Sequence, residues 1–233
     1  MNVLIVLGHL CRGSFNAALA ETAAAELNRL THPVRTVDLY AAEFEPRLGR
    51  GDFASEKTEG WLDITREQAR AFREGSIPSD VRENVELLRW ADALILQFPI
   101  WWFGPPAIIK GWMDRVFLPG FAYGRGRSFD TGGFLGKRAL LSVTADPPAT
   151  AYACDGRFGV VDAILWPLHL TLRYVGFDVL PPFVAYDINA SAEHRSAILL
   201  EFERRLAGIA NDAPILSRPN ADYDAQFRLK VPQ

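Results

Sequence analysis

The sequence predicts a doubly wound α/β fold, in which helices cover both faces of a five-stranded parallel sheet. The apolar runs that begin at Asn2 and at Ala93 are almost continuous, which is typical of parallel strands buried on both faces. Strand-like and helix-like segments also alternate five times along the 233 residues. This alternation favours a single parallel sheet over a sandwich or a helical bundle.

Each element follows from its own pattern. Strands are predicted at Asn2–Leu7, Val34–Leu39, Ala93–Phe98, Arg138–Thr144 and Phe177–Leu180. Apolar residues at helical spacing predict five helices, at Phe15–Leu30, Val81–Leu88, Ile108–Val116, Gly159–Tyr174 and Ile198–Ile209. Asp80, with Glu83 three residues later, is expected to cap the second helix. Pro105 and Pro106 suit the first turn of the third helix.

We expect one domain over residues 1–210 and an irregular tail over residues 211–233, where no periodicity is found. Within the domain, Ala41–Ile77 is longer than a usual connection and carries apolar patches at Trp61–Leu62 and Phe72. A long connection in a compact domain more often has a function than serves only to join two elements.

Composition excludes several classes of protein. The chain is 49% hydrophobic with a net charge of −3, so neither disorder nor binding to nucleic acid is indicated. The amino terminus is typical of a strand rather than a signal peptide. The uncharged stretch Ala93–Ile109 is too short for a bilayer and contains three prolines, so no membrane insertion is expected. Two cysteines, Cys11 and Cys154, favour a reducing cytoplasm, and the four histidines lack metal-ligand spacing, so no metal site is expected.

The loop after the first strand, Gly8–Ala17, is the first part of the candidate site, because ligands bind outside the carboxyl ends of the strands in such sheets. It leads into a helix whose first N–H groups are unpaired, and Ser14 and Asn16 add side-chain donors near Gly13. These features predict a phosphate cradle. The loop has neither a Walker A pattern nor Gly-x-Gly-x-x-Gly, which disfavours ATP and a Rossmann-type nicotinamide site. The alternative is a plain helix cap by Ser14 or Asn16.

Two further loops are expected at the same edge. Pro99–Pro106 holds three consecutive aromatics between prolines, a stiff apolar wall with outward amides that suits a planar heteroaromatic cofactor. The alternative, ordinary core aromatics, is weaker for three in a row. Thr144–Gly159 is long and rich in small residues, and it carries a phenol at Tyr152 and a guanidinium at Arg157. The residue types of this loop predict only that it borders the same site.

A family resemblance emerges from these loops and their neighbours. The segments that carry it are Leu4–His9, Ser14–Asn16, Gln97–Phe117, Phe121–Tyr123, Gly136–Ser142, Leu165–Pro167 and Tyr174–Phe177. Together they resemble the NAD(P)H:quinone oxidoreductase (DT-diaphorase-like) family of flavodoxin-fold flavoproteins, over about residues 2–210. The resemblance implies bound FAD, with FMN less expected. It also implies two-electron reduction of a quinone or similar small-molecule acceptor by NADH or NADPH in a ping-pong cycle, and a homodimer whose subunits both line each site.

The resemblance also implies roles for residues by position. Those implied to hold the FAD phosphates and ribityl chain are His9, Gly13, Ser14, Phe15, Asn16 and Ala17. Those implied to line the isoalloxazine are Pro99, Ile100, Trp101, Trp102 and Phe103. Thr144, Ala145 and Asp146 fall where the family also contacts the flavin. Tyr152 matches the catalytic tyrosine, and Tyr123 matches an aromatic that reaches the neighbouring subunit's substrate pocket.

Two departures from the family pattern concern the third loop. The family's Thr-Thr-Gly-Gly is here Thr144-Ala145-Asp146-Pro147. The family's active-site histidine, which stabilises charge on the reduced flavin, falls on Phe158 in the substrate pocket, and phenylalanine cannot take that role. A second class of function therefore stays open, a flavin-binding regulatory or ancillary subunit of a transporter with little turnover. Tyr152 favours the enzyme, and Phe158 keeps the alternative open.

Overall fold

The computed structural model describes residues 1–53 and 62–230. Its strands are β1 (Val3–Leu7), β2 (Val34–Asp38), β3 (Ala93–Pro99), β4 (Arg138–Thr144), β5 (Asp178–Val179) and β6 (Phe183–Ala185). Its helices are α1 (Phe15–Arg29), α2 (Ile64–Glu74), α3 (Ser79–Trp90), α4 (Ala107–Val116), α5 (Val161–Tyr174) and α6 (Ala192–Ala207). The predicted doubly wound α/β fold is confirmed. Trp61, in the predicted apolar patch, lies outside the described residues.

The sheet is parallel throughout, in the order β2-β1-β3-β4-β5. After β1 the chain moves outward to β2 and then returns to place β3 on the other side of β1. Strand order therefore reverses between β1 and β3, whose side chains are all buried. The loops that leave these two strands open a crevice at the carboxyl edge of the sheet, where ligands of such folds bind.

Two short strands share the fifth position in the sheet, where the sequence predicted one. β5 pairs with the start of β4 and β6 with its end. Between them the register advances by one residue, at Leu180-Pro181-Pro182. Proline has no N–H to donate, so a continuous ladder cannot pass through these positions. β6, which the sequence analysis missed, carries the chain back to the carboxyl edge of the sheet.

Helices cover both faces of the sheet, as predicted. α1 and α6 pack on one face, where Leu19 and Phe202 are fully buried. The other face is covered by α3, α4 and α5, with Leu88, Trp112 and Leu172 in its core. The helices after β1 and β3 therefore diverge to opposite faces, which keeps the crevice between their first turns open.

A sixth helix, α2, was not predicted within the Ala41–Ile77 connection. Its inward side chains include the polar Glu67 and Gln68, so the apolar periodicity that predicts a helix is weak here. Gln68 instead donates from Nε2 to the carbonyl of Asp114 in α4, at 2.9 Å. The cap residues were the usable signal, because Asp63 accepts a hydrogen bond at the amino end and Gly75 ends the helix in a left-handed conformation.

The predicted cap at Asp80 is wrong. α3 begins at Ser79 without a side-chain cap, and the carboxylate of Asp80 instead pairs with Arg115 of α4. Arg115 is only 4% exposed, and its Nε donates to Asp52 at 2.7 Å. A buried guanidinium needs such partners, so this charge cluster, rather than helix capping, accounts for the acidic residue. It fixes the described start of the long connection against α3 and α4.

The segment after α6 runs over residues 211–230 without a helix or strand, apart from a single 3-10 turn at Asn220–Asp222. It packs back on the domain, because the Ile215 N–H donates to the Val179 carbonyl at 2.7 Å and Asn220 contacts Ser128 and Asp130. The domain boundary at residue 210 stays a prediction. No helix in residues 1–53 and 62–230 is long and apolar enough to cross a membrane.

His169 should make the stability of the fold depend on pH. It is 2% exposed in α5, and burial, aided by the charge of Arg173, lowers the pKa of its imidazole. The unfolded chain therefore binds a proton more readily, and the free energy of unfolding falls as the pH drops below about 6.5, by at most ~1.4 kcal/mol per unit. Urea unfolding of wild type and His169→Leu at pH 7 and pH 5 measures this. We expect the variant to lose less stability on acidification, and equal losses would contradict the prediction.

Candidate active site

The first loop joins β1 to α1 and presents free backbone donors. Ser14 caps α1, and its Oγ accepts from the Ala17 N–H at 3.2 Å. The N–H groups of Phe15 and Asn16 in the first turn have no carbonyl partner among the described residues. A Cβ built on Gly13 would meet nothing within 4 Å. The capping alternative and the phosphate cradle are thus compatible, since the same turn serves both.

His9 connects the first loop to the second. His9 Nδ1 lies 3.0 Å from the backbone nitrogen and 3.2 Å from the carbonyl oxygen of Cys11, so the Cys11 backbone orients the imidazole ring. The imidazole ring packs against Trp101 with 5.8 Å between ring centroids. His9 therefore links the first loop to the aromatic loop.

The second loop is a two-residue hairpin with unusual backbone angles. Trp101 and Gly104 exchange backbone hydrogen bonds of 2.9 and 3.0 Å. Between them, Trp102 and Phe103 have φ of +49° and +60°, a left-handed conformation that costs free energy in residues other than glycine and clusters at functional sites. Trp102 is 96% exposed. The turn thus exposes an apolar surface. Its two central N–H groups have no acceptor in the described part of the chain.

Aromatic side chains link this wall to the third loop. Tyr152, 7% exposed, lies with its ring centroid 5.5 Å from that of Phe158 and 5.5 Å from that of Tyr186. Phe158 in turn lies 5.5 Å from Phe103. Burial, with a smaller effect of the Asp146 carboxylate, raises the pKa of Tyr152. The phenol therefore stays protonated at neutral pH and can donate a hydrogen bond.

A loop that the sequence analysis did not identify holds the third loop in place. The Asn189 side-chain amide donates to the Asp146 carboxylate, and the Asp187 N–H donates to the Pro147 carbonyl at 3.2 Å. These residues and Tyr186 follow β6. Because the sequence analysis missed this strand, it did not place them at the carboxyl edge of the sheet. Asp146 and Pro147, which stand where the resemblance implies glycines, are thus tied to the loop that follows β6.

The Asn16 side chain does not point into the crevice as a donor, contrary to the sequence analysis. It is buried, with Nδ2 donating to Thr144 Oγ1 at 2.9 Å and Oδ1 accepting from Gln97 Nε2 at 2.9 Å. Only its backbone N–H remains for a ligand. Gln97 was not singled out as a site residue, although a fully apolar strand interrupted by one glutamine just before Phe98 was an available signal.

The remaining predicted residues divide into two places. Pro99 ends β3, and the Ile100 N–H donates to the Thr144 carbonyl at 2.9 Å. The Ala145 N–H donates to the Ala185 carbonyl at 2.8 Å, so Ala145 lies in the wall of the same edge. Tyr123 does not lie in this wall. Its ring centroid is 5.8 Å from that of Tyr174 at the end of α5, and α5 ends at the opposite edge of the sheet. Arg157 of the third loop is exposed.

Comparison with known proteins identifies the family. A family described as having a flavodoxin-like fold matches residues 1–208. NAD(P)H dehydrogenase [quinone] 1 of Rattus norvegicus is 36% identical over 228 residues, which cover 97% of this chain and 83% of that protein. The chain belongs to the NAD(P)H:quinone oxidoreductase family. The recognition made from the sequence is therefore confirmed.

Other members of the NAD(P)H:quinone oxidoreductase family agree with this assignment. Ribosyldihydronicotinamide dehydrogenase [quinone] of Mus musculus is 38% identical over 220 residues, covering 93% of this chain and 95% of that protein. The crystal structure of a candidate quinone reductase from Klebsiella pneumoniae superposes with a TM-score of 0.94 at 35% identity, over 99% of this chain and 94% of that one. The whole described domain, and not only its loops, therefore follows the family.

A charge at Gly13 should weaken anion binding. The space beside Gly13 is open, so a side chain fits there without disturbing the fold. We expect Gly13→Glu to reduce flavin affinity about tenfold or more, since it places a carboxylate beside the unpaired N–H groups that are expected to bind the phosphates. Gly13→Gln is the matched neutral control and should retain most of the affinity. Equal losses in both variants, measured by quenching of flavin fluorescence, would mean that the cradle lies elsewhere.

Proposed function

We propose that this protein transfers hydride from NADH or NADPH through bound FAD to a quinone or similar electrophile, in a ping-pong two-electron cycle. One observation carries the proposal: the loop that presents the free N–H groups of Phe15 and Asn16 contacts the exposed aromatic hairpin, because His9 of that loop packs on Trp101. A flavin nucleotide needs both parts, donors for its phosphates and a flat apolar wall with fixed amides for its ring. The flavin supplies the redox chemistry when bound, and the protein supplies orientation and electrostatics.

Each loop has a distinct task in this proposal. The N–H groups of Phe15 and Asn16, with the Ser14 hydroxyl and His9 Nε2, would bind the phosphates. Trp101, Trp102 and Phe103 would cover the ring and exclude water from one side of it. FAD rather than FMN is supported by the resemblance of the first loop to the FAD-using members. Ala41–Ile77 is long enough to flank the adenine, and its described part is bonded to α3 and α4.

Tyr152 is the proposed catalytic residue. A reduced flavin would carry negative charge, and a preorganised donor of this chain beside that charge would lower the barrier. The raised pKa keeps the proton on Tyr152. The Tyr152 hydroxyl has no hydrogen-bond partner among residues 1–53 and 62–230, so it is available to the cofactor. Phe158 contributes no donor, and its contacts with Phe103 and Tyr152 instead fix the orientation of the phenol.

We also propose a homodimer with shared sites, located in the cytoplasm. Tyr123 lies far from the Tyr152 cluster of its own chain, so a role in a substrate pocket requires a second copy. Trp166 and Leu170 of α5 and Phe227 of the tail line an open groove of about 580 Å³, and exposed apolar surface of this kind favours a protein partner. Cys11 and Cys154 are unpaired and exposed, as suits a reducing compartment.

The identity of the electron donor is an open choice between two classes. The similar proteins carry two kinds of name, NAD(P)H dehydrogenase and ribosyldihydronicotinamide dehydrogenase, at 36% and 38% identity. Identity this close does not separate them. The donors differ in whether they carry the adenosine diphosphate part, so a comparison of NADH, NADPH and ribosyldihydronicotinamide under one set of conditions decides between the classes.

Quinone-dependent oxidation of the donor tests the function. We expect protein reconstituted with FAD to oxidise one of the three donors in the presence of a simple benzoquinone, with parallel lines in double-reciprocal plots as a ping-pong cycle requires. Protein reconstituted with FMN should be less active and should lose its flavin on gel filtration. Tightly bound flavin with no turnover from any donor would favour the regulatory alternative, and recovery of FMN alone from a mixture of both flavins would refute the FAD assignment.

Loss of the Tyr152 hydroxyl should slow reduction of the flavin. We expect Tyr152→Phe to slow it by roughly ten- to a hundredfold, which corresponds to ~1.4–2.7 kcal/mol of transition-state stabilisation. Phe158→His should partly restore the rate in that background, because it returns a donor to the adjacent ring. Anaerobic stopped-flow reduction measures both effects. Reduction at the wild-type rate in Tyr152→Phe would show that the donor is another group.

A further inference from the structure

We infer that a buried chain of hydrogen bonds, Gln97 to Asn16 to Thr144, sets the position of the phosphate-binding turn relative to the other two loops of the site. Gln97 donates from Nε2 to Asn16 Oδ1 at 2.9 Å, and Asn16 donates from Nδ2 to Thr144 Oγ1 at 2.9 Å. We call these three side chains the relay. They would act as positioning residues, because the relay side chains lie beneath the crevice. The inference rests on the proposed function and deepens it.

The relay takes one residue from the base of each loop. Asn16 is in the first turn of α1, next to the N–H groups of the cradle. Gln97 lies in β3 two residues before Pro99, where the aromatic loop begins, and Thr144 is the last residue of β4, where the third loop begins. Gln97 also pairs in register with Leu7, the last residue of β1. A shift of α1 along the sheet would therefore break both hydrogen bonds.

Hydrogen bonds fix position more narrowly than apolar packing does. Their strength falls steeply with distance and angle, whereas the hydrophobic effect is non-directional. Three of the apolar residues that α1 buries on this face are alanines, Ala17, Ala20 and Ala23, beside Leu19 and Leu27, and alanine has little side-chain shape with which to lock the register. The polar relay supplies the register that these alanines lack.

The relay is not arranged for maximal stability. Gln97 is 0% exposed, yet its Oε1 has no hydrogen-bond partner among the described residues, and neither does Oγ of Ser142, its register neighbour in β4. Buried polar atoms without partners cost free energy, and apolar residues of the same size would avoid that cost. A polar cluster that lowers stability yet links three loops is best explained by what it positions.

The test separates position from stability. Gln97→Met keeps the size of the side chain and removes the donor to Asn16, and Gln97 is too deeply buried to contact a ligand. We expect the Kd for FAD to rise about tenfold and amide hydrogen exchange at residues 13–18 of the flavin-free protein to quicken, with an unchanged unfolding midpoint. Ser142→Ala is the matched control, because it changes the same cluster outside the relay, and it should alter neither readout. Wild-type affinity and exchange in Gln97→Met would overturn the inference.

Two further outcomes are decisive. If Gln97→Met does not fold, Asn16→Leu/Gln97→Met replaces both partners by apolar groups, and it should fold with weakened FAD binding; full affinity in this variant would overturn the inference. If the wild-type protein binds no flavin, the proposed function fails. Hydrogen exchange in the flavin-free proteins then tests whether the relay positions the turn, and unchanged exchange in Gln97→Met would contradict this.

Discussion

The reversal of strand order between β1 and β3 is the constraint on which the rest of this protein depends. Because the chain returns across β1, the helices after these two strands must pack on opposite faces of the sheet. Their first turns diverge and leave a crevice that side chains of the sheet do not fill. One wall of the crevice receives helix N–H groups and the other receives the hairpin of Trp102 and Phe103. The topology thus places the N–H donors and the aromatic hairpin on opposite sides of the crevice.

Much of this arrangement could be predicted from the sequence, and the exceptions have physical causes. Continuous apolar strands and apolar helix stripes predicted the central strands and five of the helices. α2 was missed because its buried face is polar, and β6 was missed because two prolines precede a strand of three residues. Asp80 was misassigned because a capping carboxylate and the partner of a buried arginine look alike in sequence. Each error concerns a group whose partner is distant along the chain.

The departure at Phe158 is easier to understand once its neighbours are known. An aromatic ring at this position contacts Phe103 of one loop and Tyr152 of another, whereas Asp146, in place of a glycine, is held by Asn189. The third loop has exchanged a polar contact and flexible glycines for packing and a fixed carboxylate. The proposed catalytic role would therefore fall on a single phenol, Tyr152, where the family resemblance implies two donors.

The interrupted strand at the end of the sheet has a consequence for behaviour in a crowded cell. An open edge strand offers a row of unpaired N–H and C=O groups on which another chain can add as a strand, and this is a common route to aggregation. Here Pro181 and Pro182 remove two donors in succession, and the register step between β5 and β6 disrupts the repeat that an incoming strand would need. The Ile215 N–H also donates to the Val179 carbonyl, which is therefore not free to accept from another chain. This edge of the sheet is thereby a poor template for self-association into fibrils.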